Sequence, residues 1–194
     1  MLSVVVLISG AGSNLLALLK AADNPLYPVR ILAVGSDQAA QGLAHADLYG
    51  VPSFVVERSR FLDLEAWSAK LQETIEHFNP DLVVLAGFMR ILPPSFVDRF
   101  SPNLINLHPS LLPLFPGAHA VRDALAAGAK ETGATMHVVD AGIDTGPIIA
   151  QRSVKVMPTD NQASLHERIK AQERELLVET VLAIAEKRTE LVSR

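Results

Sequence analysis

Asn106 and His108 stand two residues apart in the segment Asn106-Leu107-His108-Pro109-Ser110-Leu111-Leu112-Pro113. Leu104, Ile105 and Leu107 are apolar, so the segment begins as a buried strand. Side chains two apart on a strand share a face, which sets the amide beside the imidazole. Pro109 cannot continue a central ladder and Pro113 stiffens the loop beyond it, so the strand is expected to end at His108. Parallel α/β sheets bind their ligands at such carboxyl ends. There an amide can donate to a developing oxyanion, and an imidazole can carry a proton near neutral pH. Acyl-type transfer and proton transfer both fit the pair.

Three further segments carry chemistry. Ser9-Gly10-Ala11-Gly12-Ser13-Asn14 joins an apolar run to a helical one. Free backbone N–H groups and the helix dipole would suit an anion, with Ser13 and Asn14 adding donors for one terminal phosphate; the same residues also suit a plain tight turn and helix cap. Leu15 stands where a dinucleotide fingerprint needs its third glycine, and no Lys-Ser/Thr comes after it as in a Walker loop. Ala86 to Pro93 encloses Arg90 in an apolar knot. Phe88, Ile91, Leu92, Phe96 and Val97 either wall a pocket for an aromatic ring, with Arg90 on a ligand carboxylate or carbonyl, or make a helix–sheet contact from which Arg90 reaches water. Asp140-Ala141-Gly142-Ile143-Asp144-Thr145-Gly146-Pro147 places two aspartates in a glycine-rich loop. Turn hydrogen bonds account for Asp140. Asp144 is a candidate partner for His108, raising its pKa and fixing its tautomer.

These segments need elements to hold them. Ser3 to Ile8 reads as a strand buried on both faces, and Asn14 to Lys20 as a helix. Next come a strand Val29–Val34, a helix from about Gln38 to Tyr49 stopped by Gly50, and a strand Ser53–Val56. Leu64, Trp67, Leu71, Ile75 and Phe78 recur at helical spacing before Pro80, and Leu82 to Ala86 is the fourth strand. Beyond the Asn106–His108 strand come a proline-rich loop, a short helix near Val121–Ala127, strands Thr135–Val139 and Ile148–Val156, and a long helix from about Gln162 to Glu186. The alternation predicts an α/β fold, a single Rossmann-like domain with a mostly parallel twisted sheet and helices on both faces. His45, His77 and His166 fall on helices as surface or packing residues. His137 alternates with Met136 and Val138, so it faces away from them and can support the site from behind.

The chain has 194 residues, of which 49% are hydrophobic and 20% charged, enough for one domain with a real core. A net charge of −4 without a basic run argues against a nucleic-acid partner. Cysteine is absent, so no disulfide or thiolate chemistry is available, and no metal spacing such as HExxH occurs. The apolar start is too short for a membrane span and lacks signal-peptide flanks, so a cytoplasmic location is expected.

Taken in order, Asn106-x-His108-Pro-Ser-Leu-Leu-Pro113, Asp144 and Ala86-Gly-Phe-Met-Arg-Ile-Leu92 resemble the glycinamide ribonucleotide (phosphoribosylglycinamide) formyltransferases, the folate-dependent family of purine synthesis. The similarity runs from Val4 to about Leu177. It implies transfer of a formyl group from 10-formyltetrahydrofolate, the co-substrate, to the amine of 5′-phosphoribosylglycinamide, with no metal. By resemblance, Asn106, His108 and Asp144 are catalytic. Gly12, Ser13 and Asn14 hold the ribonucleotide phosphate, and Lys170 and Glu173 complete that site; alone, those two are merely an i, i+3 pair on a partly exposed helix. Met89, Arg90, Ile91, Leu92, Asn106, Asp140, Ala141, Gly142, Ile143 and Asp144 bind the folate, largely through backbone groups. The partners implied are small molecules, with no nucleic acid and no membrane, for a monomer or homodimer. A formyltransferase domain is expected over residues 1–188 and a flexible tail over 189–194.

Methionyl-tRNA formyltransferase and formyltetrahydrofolate hydrolase share the catalytic trio. The Gly12-Ser13-Asn14 loop, the short carboxyl end and the early first strand favour the ribonucleotide enzyme. One departure concerns the folate's glutamate tail: Leu64 stands where the family usually carries an Arg, with Arg58 and Arg60 just upstream. Two other readings compete. Asp37, after the second strand, could serve as the ribose acid of an NAD oxidoreductase, though the missing glycine opposes this. A folate- or nucleotide-binding module without turnover is the third.

Overall fold

The computed structural model describes residues 1–193. β1 (Leu2–Ile8), β2 (Val29–Ser36), β3 (Ser53–Val55), β4 (Leu82–Leu85), β5 (Leu104–His108), β6 (Glu131–Val138) and β7 (Ile148–Lys155) form one sheet in the order β3-β2-β1-β4-β5-β6-β7. The first five strands run parallel, because helices carry the chain back between them. β6 runs antiparallel to β5, and β7 antiparallel to β6. β5 therefore lies at the seam, parallel to one neighbour and antiparallel to the other.

Strand alternation sorts the core into two faces. Val4, Val6, Ile8, Val84, Ile105, Leu107, Met136 and Val138 meet α1 (Ser13–Ala22), α2 (Leu43–Leu48) and α6 (Gln162–Ala185) on one side. Val5, Leu7, Val83, Leu85 and Leu104 meet α3 (Leu64–Glu76) and α4 (Pro94–Phe100) on the other. α5 (Ala120–Ala126) brings Val121 into a small cluster with Val154, Leu165 and Ile169. On the second face α3 and α4 cover β1 and β4. By the same parity β5 and β6 present Asn106, His108, Thr135 and His137 there. That polar strip is roofed by loops.

Some expected boundaries move. The helix read from about Gln38 begins only at Leu43. Residues ahead of it grip the first loop instead: Gly42 N donates to Gly10 O at 3.0 Å, and Gln38 Nε2 to Ser9 O at 2.6 Å. Gly50 does close the helix end, at φ 65°. β6 starts at Glu131, because its first four residues pair with Lys155 to Arg152 of β7. Phe96 and Val97, read as pocket wall or helix–sheet contact, belong to α4 and are buried in the second core beside Phe88 and Leu92. Leu191, in the expected tail, packs against the first core, while Arg194 lies outside the described residues. No helix among the described residues is long and apolar enough to cross a membrane.

Candidate active site

β5 ends at His108, as its prolines dictate. Asn106 pairs across the ladder with His137, and His108 with Thr135, so four polar side chains share one patch. The loop after β6 folds back over it and delivers Asp144. His108 Nδ1 lies 3.3 Å from Asp144 Oδ2, and Asn106 Nδ2 donates to Asp144 Oδ1 at 3.4 Å. Gly117 N donates to Asp144 Oδ2 at 2.7 Å. His137 joins the group: its Nε2 is 3.1 Å from Asn106 Nδ2 and 3.5 Å from Asp144 Oδ1, while its Nδ1 faces Val138 O at 3.0 Å. Nδ1 can only donate to that carbonyl, while Nε2 lies between the Asn106 amide, from which an unprotonated nitrogen accepts, and the Asp144 carboxylate, to which a protonated one donates.

The pairing of His108 with Asp144 was expected; the direction of the His108 shift was not. Burial pushes the His108 pKa below its ordinary value, more than the Phe115 carbonyl and the Asp144 carboxylate raise it. The Asp144 side matches expectation. Burial works to raise that carboxyl, but the His137 ring, the Gly117 N–H and the His108 ring hold it below the usual range. The resting site thus pairs an ionised carboxylate with a neutral imidazole. Both ring nitrogens of His108 nevertheless face acceptors, since Nε2 is 2.9 Å from Phe115 O. The two acceptors suit an imidazolium, while burial disfavours that charge.

The proline-rich loop is fastened by residues that sequence reading missed. Thr135 Oγ1 donates to Ser110 O at 2.6 Å and accepts from Leu112 N at 3.1 Å and Gln151 Nε2 at 2.9 Å. Gln151 Nε2 also reaches Leu112 O at 2.9 Å, and Ser110 Oγ donates to Leu114 O at 2.6 Å. The parity that placed His137 would have placed Thr135 beside it. Nothing local marks Gly117 or the Phe115 carbonyl as partners of the site.

At the first loop Gly12 takes a left-handed backbone, φ 72°, and no side chain caps α1. The first N–H groups of a ten-residue helix are left for an anion. A Cβ on Gly12 would stand 2.9 Å from Gly42 Cα, so the two glycines permit close contact of loop and α2. Asn14 is buried and its Oδ1 has no partner. Glu173 is buried facing Asn14, and burial pushes its carboxyl up to about 7 despite the Asn14 amide, Lys170 and Arg174. This corrects the surface-pair picture of Lys170 and Glu173: Lys170 bonds Glu167 at 2.9 Å, and Glu173 turns inward.

Two loops flank the trio with exposed apolar side chains: Met89 and Ile91 after β4, Ile143 after β6. Asp140 Oδ1 accepts from Gly142 N at 3.1 Å and Thr145 Oγ1 at 2.7 Å, as a turn residue should. Arg90 meets a protein partner, not open water: its Nε donates to Asp37 Oδ2 at 2.5 Å. That ion pair also occupies the carboxylate an NAD ribose would need. Arg58 donates to Phe61 O at 2.8 Å, Arg60 pairs with Glu57, and Leu64 packs on the second core. Among the described residues no cluster of three or more His, Cys, Asp or Glu is arranged to hold a metal.

Comparison with known proteins finds relatives over nearly the whole chain. A phosphoribosylglycinamide formyltransferase of Mycobacterium tuberculosis (strain CDC 1551 / Oshkosh) is 50% identical over 190 residues, covering 98% of this chain and 88% of the relative. One from Escherichia coli (strain K12) is 42% identical over 173 residues, covering 89% and 82%. The crystal structure of glycinamide ribonucleotide transformylase 1 from Symbiobacterium toebii superposes with a TM-score of 0.94 at 38% identity, covering 99% of this chain and 94% of that one. The family model described as formyl transferase matches residues 2–181, a span that contains Gly12 to Asn14, Asn106, His108, Asp144 and Glu173. The chain belongs to the formyl transferase family.

Proposed function

We propose that this protein transfers the formyl group of 10-formyltetrahydrofolate to the amine of 5′-phosphoribosylglycinamide, giving N-formylglycinamide ribonucleotide and tetrahydrofolate in purine synthesis. The observation that carries the reading is the His108–Asp144 pair beside Asn106 at the end of β5, on the same carboxyl edge of the sheet as a second loop suited to a phosphate. An oxidoreductase would have no use for that trio. Residues 1–188 form the working unit, a monomer or homodimer acting on small molecules in the cytoplasm.

In this reading Gly12, Ser13 and Asn14 hold the ribonucleotide phosphate at the start of α1, with Lys170 supplying charge and Glu173 a buried polar contact. The loops Met89–Leu92 and Asp140–Asp144 grip the folate through backbone groups and apolar side chains. As the amine attacks, negative charge grows on the formyl oxygen, and the Asn106 amide donates to it. His108, neutral at rest, exchanges the Phe115 carbonyl at Nε2 for the substrate, accepts there the proton the amine sheds, and becomes the cationic donor that this oxygen needs. Asp144 stabilises the imidazolium, which then yields its proton to the departing folate nitrogen. No net proton is gained or lost.

The test is an order-of-addition assay with purified protein and 10-formyltetrahydrofolate, the ribonucleotide added last. Release of tetrahydrofolate should wait for the ribonucleotide. Release with water alone would make the protein a hydrolase, and tight folate binding without release would make it a binding module. His108→Ala, with the fold intact, should lower turnover by on the order of 10²–10³; near-normal turnover would sink the assignment.

A further inference from the structure

Asp37 is the least expected charge in the molecule. Its side chain is 1% exposed, yet it lies at the end of β2 outside the catalytic trio. Its Oδ1 accepts from Ser9 Oγ at 2.6 Å and its Oδ2 from Arg90 Nε. Ser9 Oγ in turn accepts from Met89 N at 2.8 Å, and Ser9 N donates to Gly87 O at 3.1 Å. The loop after β4 is therefore tied to the ends of β1 and β2 by one buried carboxylate and one hydroxyl. Phe88 and Leu92 anchor its two ends in the second core, but Met89 and Ile91 between them point outward, 73% and 70% exposed, so packing does not fix the middle of the loop.

Burying a carboxylate is costly, and apolar packing stabilises a core as well or better. An ion pair at this place gives defined geometry to the loop it reaches. We propose that Asp37 is a positioning residue for the folate: through Arg90 and Ser9 it sets the backbone of Met89–Leu92 in its binding shape before the folate arrives. The proposal rests on the formyl-transfer reading. A pre-set loop loses less freedom on binding, so the effect belongs in folate affinity. The phosphate loop should feel little of it, since Gly42 N on Gly10 O and α1 fasten that loop independently.

Asp37→Asn keeps the shape and removes the charge. It should raise the KM for 10-formyltetrahydrofolate about tenfold while kcat and the ribonucleotide KM stay within about twofold. Ser9→Ala, which removes the hydroxyl bridging Asp37 and Met89 N, should give the same split and serves if Asp37→Asn fails to fold. The double variant should be no worse than the poorer single one, because the two residues act through each other. An unchanged folate KM in both variants, a fall in kcat alone, an equal rise in both KM values, or additive effects would each overturn the proposal while formyl transfer stands. An unsubstituted protein without transferase activity would overturn the underlying reading and this one with it.

Discussion

His108 shows how a single residue can be poised against its own charge. Its two ring nitrogens face a carboxylate and a carbonyl, yet burial holds its pKa low. Asp144 is one of the groups that work upward, so removing its charge must lower the His108 pKa further. Asp144→Asn should shift the imidazole titration to lower pH in NMR spectra of the free enzyme. An unmoved titration would mean that the two do not interact. The adjacency of Asn106 and His108 was legible from two-residue spacing and the proline after it. The Asp144 contact was legible only as a candidate, since no spacing encodes an approach across 36 residues of chain. The sign of the His108 shift was not legible at all, because it depends on how completely the loops exclude water.

At the scale of elements, the site depends on how loops are fastened to strands. Thr135 is fully buried in β6 and binds the Pro-rich loop at Ser110 and Leu112. Thr135→Val keeps the shape but strands those groups, at a cost of about 1–3 kcal/mol in stability. Urea unfolding should show that loss, and turnover should fall with it, since the same loop carries the Phe115 carbonyl to His108. A variant with wild-type stability and turnover would show that the loop holds itself. The helix expected from Gln38 failed for a related reason: helical periodicity is indifferent to loop contacts, and Gln38 and Gly42 serve the first loop. α4 was missed because its seven residues are too few to show a helical period, although Pro93-Pro94 marks its start.

For the whole molecule, the order of strands and helices was readable because alternation leaves few ways to build a parallel sheet. Which buried polar groups answer one another across the sheet was not readable, and Glu173 is the clearest case. Its carboxyl, ordinarily near 4.5, is pushed up to about 7 by burial. The folded state thus holds the proton more tightly than the unfolded chain. The stability this contributes is complete below the ordinary value and lost as pH rises through about 7. Glu173→Gln should raise the melting temperature at about pH 8, by up to about 3 kcal/mol of stability, and converge on the parent towards pH 4. Parallel curves at all pH values would show that Glu173 stays ionised when folded.

The seam position of β5 has a kinetic consequence. In the proposed reading, competence needs β1 and β2 for the Asp37 knot, β5 and β6 for the polar strip, β7 for Gln151 and α6 for Glu173. Met89 and Ser9 are 80 residues apart, and Arg90 and Asp37 53. Contacts between such distant residues form late, after local helices have appeared. A one-residue slip of β5 would turn Asn106 and His108 to the opposite face and leave nothing partly active. Recovery of turnover after dilution from denaturant should therefore lag the return of helical signal, making catalysis a clock for completion of the sheet.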